Sequence, residues 1–427
     1  MKKSLFVLLG TLMQISLAGQ TTGSWGDQSN GTFINPVLNS DYSDPDVIRV
    51  DKKYYMVCSE FHFMGIPVLE SDDMVNWKII GKVYENLSPD GKQLLDDGVT
   101  VYTGPVAEGT KIHKLNGYYY LSIPEGGVER GWQTILRSKT IFGPYEKKVI
   151  LEKGSTSING PHQGSLVDTP DSEWWFYHFQ SDGAMGRVVH LQPVRWQDGW
   201  PEIGVDIDRN GIGEPVYVWK KPDIKGDFKI TAPQSDDDFN SSSLGLQWQW
   251  NHNPVNNFWS LTEKPGMLIL KALKAENFNK ARNTLTQKVM GTTGKVVTEM
   301  DITGFTDGQK AGICSMGGRN TSLLGVVSKG GQLYVFTEKD GKITGEKLIK
   351  SKKVYLKVIL DIKGDKNQFF YSLDNKQFNQ FGESFTTSAG FWKGTRIGLF
   401  SFNETNESGS AAFNWFTYNY DGPKGIK

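Results

Sequence analysis

Between residues 34 and 205, apolar and polar positions alternate in short runs separated by polar turns, and the runs fall into three like segments. The first reads VIRVDKKYYMVCSE and then SDDMVNWKIIG; the second reads TKIHKLNGYYYLSIPE and then LRSKTIFGPYEKK. The third reads GSLVDTPDSEWWFYHFQ and then LQPVRWQDGWPEI. Each holds an alternating strand, a polar turn, a strand headed by paired aromatics, and a later strand ending in an aromatic turn. Period-two alternation sends successive side chains to opposite faces of a sheet. Tyr55, Tyr119 and Trp175 mark equivalent places, 64 and 56 residues apart. Repeats of this size, each a small antiparallel sheet, predict β-propeller blades.

Polar residues stand at the start of each repeat: Asp44-Pro45-Asp46, then Glu108-Gly109, then His162-Gln163-Gly164. The first strand of a blade lines the propeller axis, so these three places are expected to converge on one pocket. Two carboxylates and a histidine in an aromatic-rimmed pocket form a catalytic constellation. The plainer alternative is an Asp-Pro turn at Asp44 and a solvated strand end at Glu108. Closed propellers need roughly four to eight blades. Only three repeats are legible here, so the arc is expected to stay open, with unpaired sheet edges.

The pattern changes from about Asp236. DDDFNSSSLGLQWQWNHNPVNNFWSL opens a run of alternating strands with glycine turns, closing on GTRIGLFSFN and AAFNWFTYNY. Regularly spaced short strands predict a β-sandwich. Trp248, Trp250 and Trp259 alternate as core residues do, although exposed indoles could also bind sugar. Lys221 to Gln234 reads as the linker. The fold class is all-β: a propeller domain over 34–224 and a sandwich over 236–420.

Composition narrows the partners. The 47 acidic and 47 basic residues cancel, which argues against nucleic acid or an anionic membrane as a partner. Aromatics at 12%, with 13 Trp and 16 Tyr, suit surfaces on which sugar rings stack. The first 18 residues combine Lys2 and Lys3, an apolar run from Leu5 to Leu17 and Ser16-Leu17-Ala18. That is a secretory signal, too short to span a bilayer, and places the protein outside the cytoplasm, secreted or periplasmic. Cys58 and Cys314 lie in apolar strand-like stretches and read as buried free thiols. With no CxxC motif and six His, there is no zinc signature.

The same residues carry a family likeness. NPVLNSDYSDPDVIRVDKKYYMVCSEFHFMGIPVLESDDMVNWKIIG resembles the opening blade of family 43 glycoside hydrolases. GPVAEGTKIHKLNGYYYLSIPEGG resembles the family's general-acid blade. GPHQGSLVDTPDSEWWFYHFQ with GRVVHLQPVRWQDGWP is similar to its last blade, and the second half resembles the concanavalin-like jelly-roll sandwich that follows the propeller in many β-xylosidases of that family. The resemblance implies a five-bladed propeller and inverting hydrolysis of β-xylosides or α-L-arabinofuranosides, as in xylan degradation. It also implies roles: Asp44 as general base, Glu108 as general acid, and Arg187 as a sugar contact. Phe61 and Phe63 match ring-stacking aromatics, and His162 matches a histidine associated with bound calcium.

One departure stands out. The family carries a third carboxylate on a middle blade, in an acidic residue-Pro motif. Here Asp44-Pro45 is the sole Asp-Pro, and Glu214-Pro215 in a late turn is the sole Glu-Pro. The text passes from VYENL, ending at Leu87, into SPDGKQLLDDGVTVYTGPVAEG, which resembles the end of a later blade. An internal loss of about two blades near Leu87 and Ser88 is the expectation, and with it poor or absent turnover. Two functions stay open: a hydrolase of hemicellulose-derived glycosides, or a non-catalytic secreted protein that binds an oligo- or polysaccharide of the arabinoxylan type. A sialidase-like propeller is disfavoured, because no arginine triad with a paired tyrosine nucleophile is present.

Overall fold

The computed structural model describes residues 25–60, 65–83, 100–318, 320–390 and 392–422. The signal at 1–18, Phe61, Phe63 and the Leu87–Ser88 junction lie outside the described residues. The described chain is strand and loop, apart from single 3-10 turns at Gly183–Met185, Asn256–Phe258 and Phe278–Lys280.

After a short β1 (Thr32–Ile34), the three repeats become three four-stranded antiparallel sheets of propeller-blade type. The first is β2 (Ser43–Val50), β3 (Lys53–Ser59), β4 (Pro67–Ser71) and β5 (Lys78–Lys82). The second is β6 (Lys111–Leu115), β7 (Tyr118–Glu125), β8 (Trp132–Ser138) and β9 (Glu146–Leu151). The third is β10 (His162–Asp168), β11 (Trp174–Ser181), β12 (Arg187–Gln197) and β13 (Trp200–Ile203). Each runs in sequence order from inner to outer strand, so alternation along the chain becomes two distinct faces.

Those faces explain the stacking. Tyr54, Met56 and Leu69 of the first sheet pack in one apolar core with Trp175 and Tyr177 of the third. Tyr120, Ile135 and Ile150 of the second pack on Leu166, Phe176 and Ile203 of the third. The third sheet therefore sits in the middle. The opposite face of the first sheet has no such cover among the described residues: Ile48, Val50, Val57 and Ile80 are 60%, 49%, 37% and 43% exposed.

β1 pairs with β14 (Val218–Lys220), tying the start of the propeller half to its end. The segment read as a linker is strapped down. Lys221 donates its ammonium to Asp27 at 2.7 Å and to Asp73 at 2.5 Å, and Thr231 N–H donates to Asn76 Oδ1 at 3.3 Å. Trp25 stacks on Tyr420 at 5.4 Å, so residues ahead of position 34 join the body too.

The second half is two packed antiparallel sheets. In one, Arg396–Asn403 lies between Leu285–Lys288 and Gln309–Met316; in the other, Ser410–Tyr420 lies between Leu268–Lys271 and Thr293–Asp301. Strands late in the chain filling the centre of each sheet give the non-sequential wiring of a jelly-roll sandwich. Trp248 and Trp250 are core, while Trp259 is half-buried against Trp250 at 5.2 Å. Both thiols are free and buried.

The halves share one apolar core and a buried polar seam. Lys288 of the sandwich pairs with Glu60 at 2.9 Å, also donates to the Asp41 carbonyl, and lies 4.4 Å above the Tyr42 ring. Asp41 bridges both halves, accepting from Arg187 N–H at 2.9 Å and Gly394 N–H at 2.8 Å. The seam lies directly behind the start of β2, so it fixes where that strand begins.

Candidate active site

The innermost strands meet at their beginnings. Val47 N–H on β2 donates to Ser165 Oγ on β10 at 2.8 Å, and Lys111 at the head of β6 donates to the Pro45 carbonyl at 2.9 Å. Lys111 also lies 3.8 Å from Asp46. Its burial pulls its pKa below the ordinary lysine value, against the opposing pull of Asp46 and Asp44. These ties bring the heads of β2, β6 and β10 to one axis.

Pairing slips at two of those heads. Between β2 and β3 the register shifts from Ser43 to Asp46, and between β10 and β11 from His162 to Ser165. Such bulges re-aim side chains. The residue inside each slip has left-handed backbone: Asp44 at φ 51° and Gln163 at φ 59°. Gly109, at φ 53°, occupies the matching place ahead of β6. The structural equivalents are thus Asp44, Gly109 and Gln163. Glu108 and His162 sit one residue earlier, at the place of Ser43.

Asp44 is the best-held carboxylate of the candidates. Ser43 Oγ donates to its Oδ2 at 2.9 Å, and Arg187 Nη1 reaches Oδ1 at 3.4 Å and Ser43 Oγ at 2.5 Å. The Arg187 guanidinium lies 4.7 Å over the Phe179 ring, and its side chain is 8% exposed. Gly186 permits this approach: its φ is 82°, and a Cβ there would come within 2.5 Å of the Asp41 carboxylate.

His162 meets the edge of Phe179 at 5.5 Å and is fully buried, with neither ring nitrogen hydrogen-bonded among the described residues. Burial first, then the positive charge of Arg187, push its pKa down to about 4 against the opposing pull of Asp44. It is a neutral imidazole at physiological pH. Calcium takes roughly six to eight oxygen ligands. His162 offers nitrogen beside a guanidinium, and among the described residues no group of three or more His, Cys, Asp or Glu could hold a metal ion. The residues present do not fit a calcium site at His162.

Glu108 lies in the loop ahead of β6, exposed, and its carboxylate takes no hydrogen bond from the described residues. Its backbone is fixed: Glu108 N–H donates to the Pro124 carbonyl at 3.3 Å, and Gly126 N–H to that of Pro105 at 2.9 Å. A Cβ on Gly109 would lie 3.2 Å from Gln163 Nε2, which places this loop against the head of β10.

Three residues that the motif reading gave no role complete the frame. Asp41 and Ser43 hold Arg187 and Asp44, as above. Glu125, fully buried at the end of β7, accepts from Tyr102 Oη at 2.6 Å, Trp132 Nε1 at 3.3 Å and Thr134 Oγ1, and pairs with Lys147 at 3.1 Å. Burial alone would raise its pKa; the bonds from Thr134, Tyr102 and Lys147 overcome that and hold it ionised. The signal for Glu125 was its place before paired glycines in PEGG. Asp41 and Ser43 had none, because Arg187, the partner they share, lies more than a hundred residues away.

Comparison with known proteins matches this arrangement. The family model described as glycosyl hydrolases family 43 covers residues 33–93 and 84–201, in two pieces that meet at 84–93. The model described as the beta xylosidase C-terminal concanavalin A-like domain covers 236–419. A beta-xylosidase of Formosa agariphila is 36% identical, covering 96% of this chain and 94% of its own. Its alignment runs over 560 positions against 427 residues here, leaving at least 133 positions without a residue of this chain. The non-reducing end alpha-L-arabinofuranosidase BoGH43B of Bacteroides ovatus is 27% identical over 62% of this chain and 68% of its own. Among solved structures, a bifunctional GH43-CE protein of Bacteroides eggerthii is 26% identical with a TM-score of 0.79, over 90% of this chain and 63% of that one. The GH43 protein BlXynB of Bacillus licheniformis, at 24% identity, matches in fold with a TM-score of 0.78 over 91% and 99% of the two chains. By both domain matches and by its identity to a full-length relative, the chain belongs to glycoside hydrolase family 43.

Proposed function

We propose that this chain is a secreted or periplasmic hydrolase of xylosides or arabinofuranosides derived from hemicellulose, working by inverting general acid–base catalysis. Asp44 is the base that activates water, and Glu108 is the acid beneath the leaving oxygen. Inverting hydrolysis needs two carboxyl groups roughly 6.5–9.5 Å apart, with room for water between. Arg187 contacts the sugar and pairs with Asp44; Phe61 and Phe63 stack on the ring. The domain reading stays 34–224 for the propeller and 236–420 for the sandwich. The relatives named as beta-xylosidase and arabinofuranosidase support the substrate class. The observation that carries the assignment is Asp44 itself, a carboxylate on left-handed backbone gripped by Ser43 and Arg187 at the meeting point of three inner strands. Proton NMR of aryl β-xyloside cleavage tests it. The first sugar released should be the α-anomer, and release should stop in Asp44→Asn and Glu108→Gln; β-anomer first, or release surviving both substitutions, contradicts it.

A second reading has its own support. The family match breaks at residues 84–93, and the Formosa relative carries at least 133 positions that this chain lacks. We propose that about two blades are lost there, and with them the third carboxylate and part of the sugar-binding wall. A chain so shortened binds glycan and turns it over poorly or not at all.

A further inference from the structure

At the far end of the third sheet lies a groove of about 520 Å³, away from the heads of the inner strands. β11 runs from Trp174 at the groove to Phe179 beside Arg187 and His162. Five strand steps of roughly 3.3 Å separate the two ends by about 17 Å. The groove is therefore not part of the Asp44 pocket.

Four tryptophans line it, Trp174, Trp175, Trp196 and Trp219, of which Trp175 is buried. Trp174 and Trp196 meet edge to face at 5.5 Å, and Trp219 on β14 faces them; all three are half-buried. Strand ends do not need tryptophan for turns or pairing, and large apolar surface left partly in water marks binding.

The polar rim narrows the occupant. Arg195 pairs with Glu202 at 2.8 Å, and Lys220 lies 3.7 Å from Glu173. Two cations and two anions cancel, so the groove offers no field to an anionic polymer or a charged peptide. It offers donors and acceptors beside flat apolar rings. That combination matches a neutral ligand with apolar C–H faces and equatorial hydroxyls.

We propose that this groove is a secondary binding site for an uncharged oligosaccharide, separate from the Asp44 pocket and independent of the roles of Asp44 and Glu108. A glycan held there raises the local concentration of chain ends at the pocket without new contacts inside it.

The test is calorimetric titration of xylohexaose into the full chain, with Trp174→Ala and Asp44→Asn beside it. Saturable binding is expected, at least ten-fold weaker in Trp174→Ala and retained in Asp44→Asn. Hydrogen exchange of the unmutated chain, which does not depend on a variant folding, should show xylohexaose protecting residues 172–175 and 194–205. No saturable binding, equal affinity in a folded Trp174→Ala, or protection confined to the heads of β2 and β12 would overturn the proposal.

Discussion

Arg187 puts one positive charge among Asp44, Ser43 and the Phe179 ring, with little water to screen it. Removing the guanidinium leaves a mostly buried carboxylate short of a donor, and a hydrogen bond to a charged group contributes roughly 1.5–3 kcal/mol. Arg187→Met is accordingly expected to lower stability by about 2–3 kcal/mol in urea denaturation; a loss under about 0.5 kcal/mol would mean that the pair is not formed. Calcium gives a second check on the same cluster. Calorimetry should find weak binding or none, and a tight site that disappears in His162→Ala would refute the reading of that residue. The sequence exposed these residues but not their alignment. Reading the polar residues just ahead of each repeat's first strand put Asp44, Glu108 and His162 at like places. The backbone instead places Asp44 with Gly109 and Gln163, because the left-handed turn is written into the residue type only at the glycine.

Each four-strand unit was legible because its two faces have different residues and its turns are short. What covers each face was not, since that depends on strands more than a hundred residues away. The first sheet shows both outcomes. Leu69 lies fully buried against the third sheet, whereas Ile48 on the other face is 60% exposed. Leu69→Ala should cost about 2–5 kcal/mol through lost transfer and the cavity left behind. Ile48→Lys should shift stability by no more than roughly 0.5 kcal/mol and should raise the concentration at which the chain aggregates. Denaturant melts and light scattering check the pair. A large stability loss in Ile48→Lys would mean that this face is covered in solution. The segment read as a linker also escaped pattern reading: nothing local to Lys221 announces the buried partners Asp27 and Asp73.

Across the whole molecule, the shared core and the Lys288–Glu60 seam join propeller and sandwich, so acid acts on one body. His178 and His190 stack at 5.1 Å in the interior of the third sheet. Burial pushes His178 down to about 4 and His190 well below the ordinary histidine value. The unfolded chain takes up protons below about pH 6.5, while folded His178 refuses them until near 4 and His190 resists them in the same direction. Stability from this pair is therefore complete above about 6.5 and is lost as pH falls toward 4. At pH 5 the loss from His178 is on the order of 2 kcal/mol, with His190 adding in the same direction, and urea midpoints at pH 7 and pH 5 check it; equal midpoints would contradict the buried pair. The central proposal is larger: that the pocket of this family 43 chain is short of a wall. The direct measurement is kcat/KM on an aryl β-xyloside for this chain beside one in which the Formosa relative's sequence is restored between residues 83 and 100. The account predicts the short chain to be slower by roughly 10² to 10⁴. Near-equal rates, abolished in both by Glu108→Gln, would show that the missing segment was never needed and that the site has been misread.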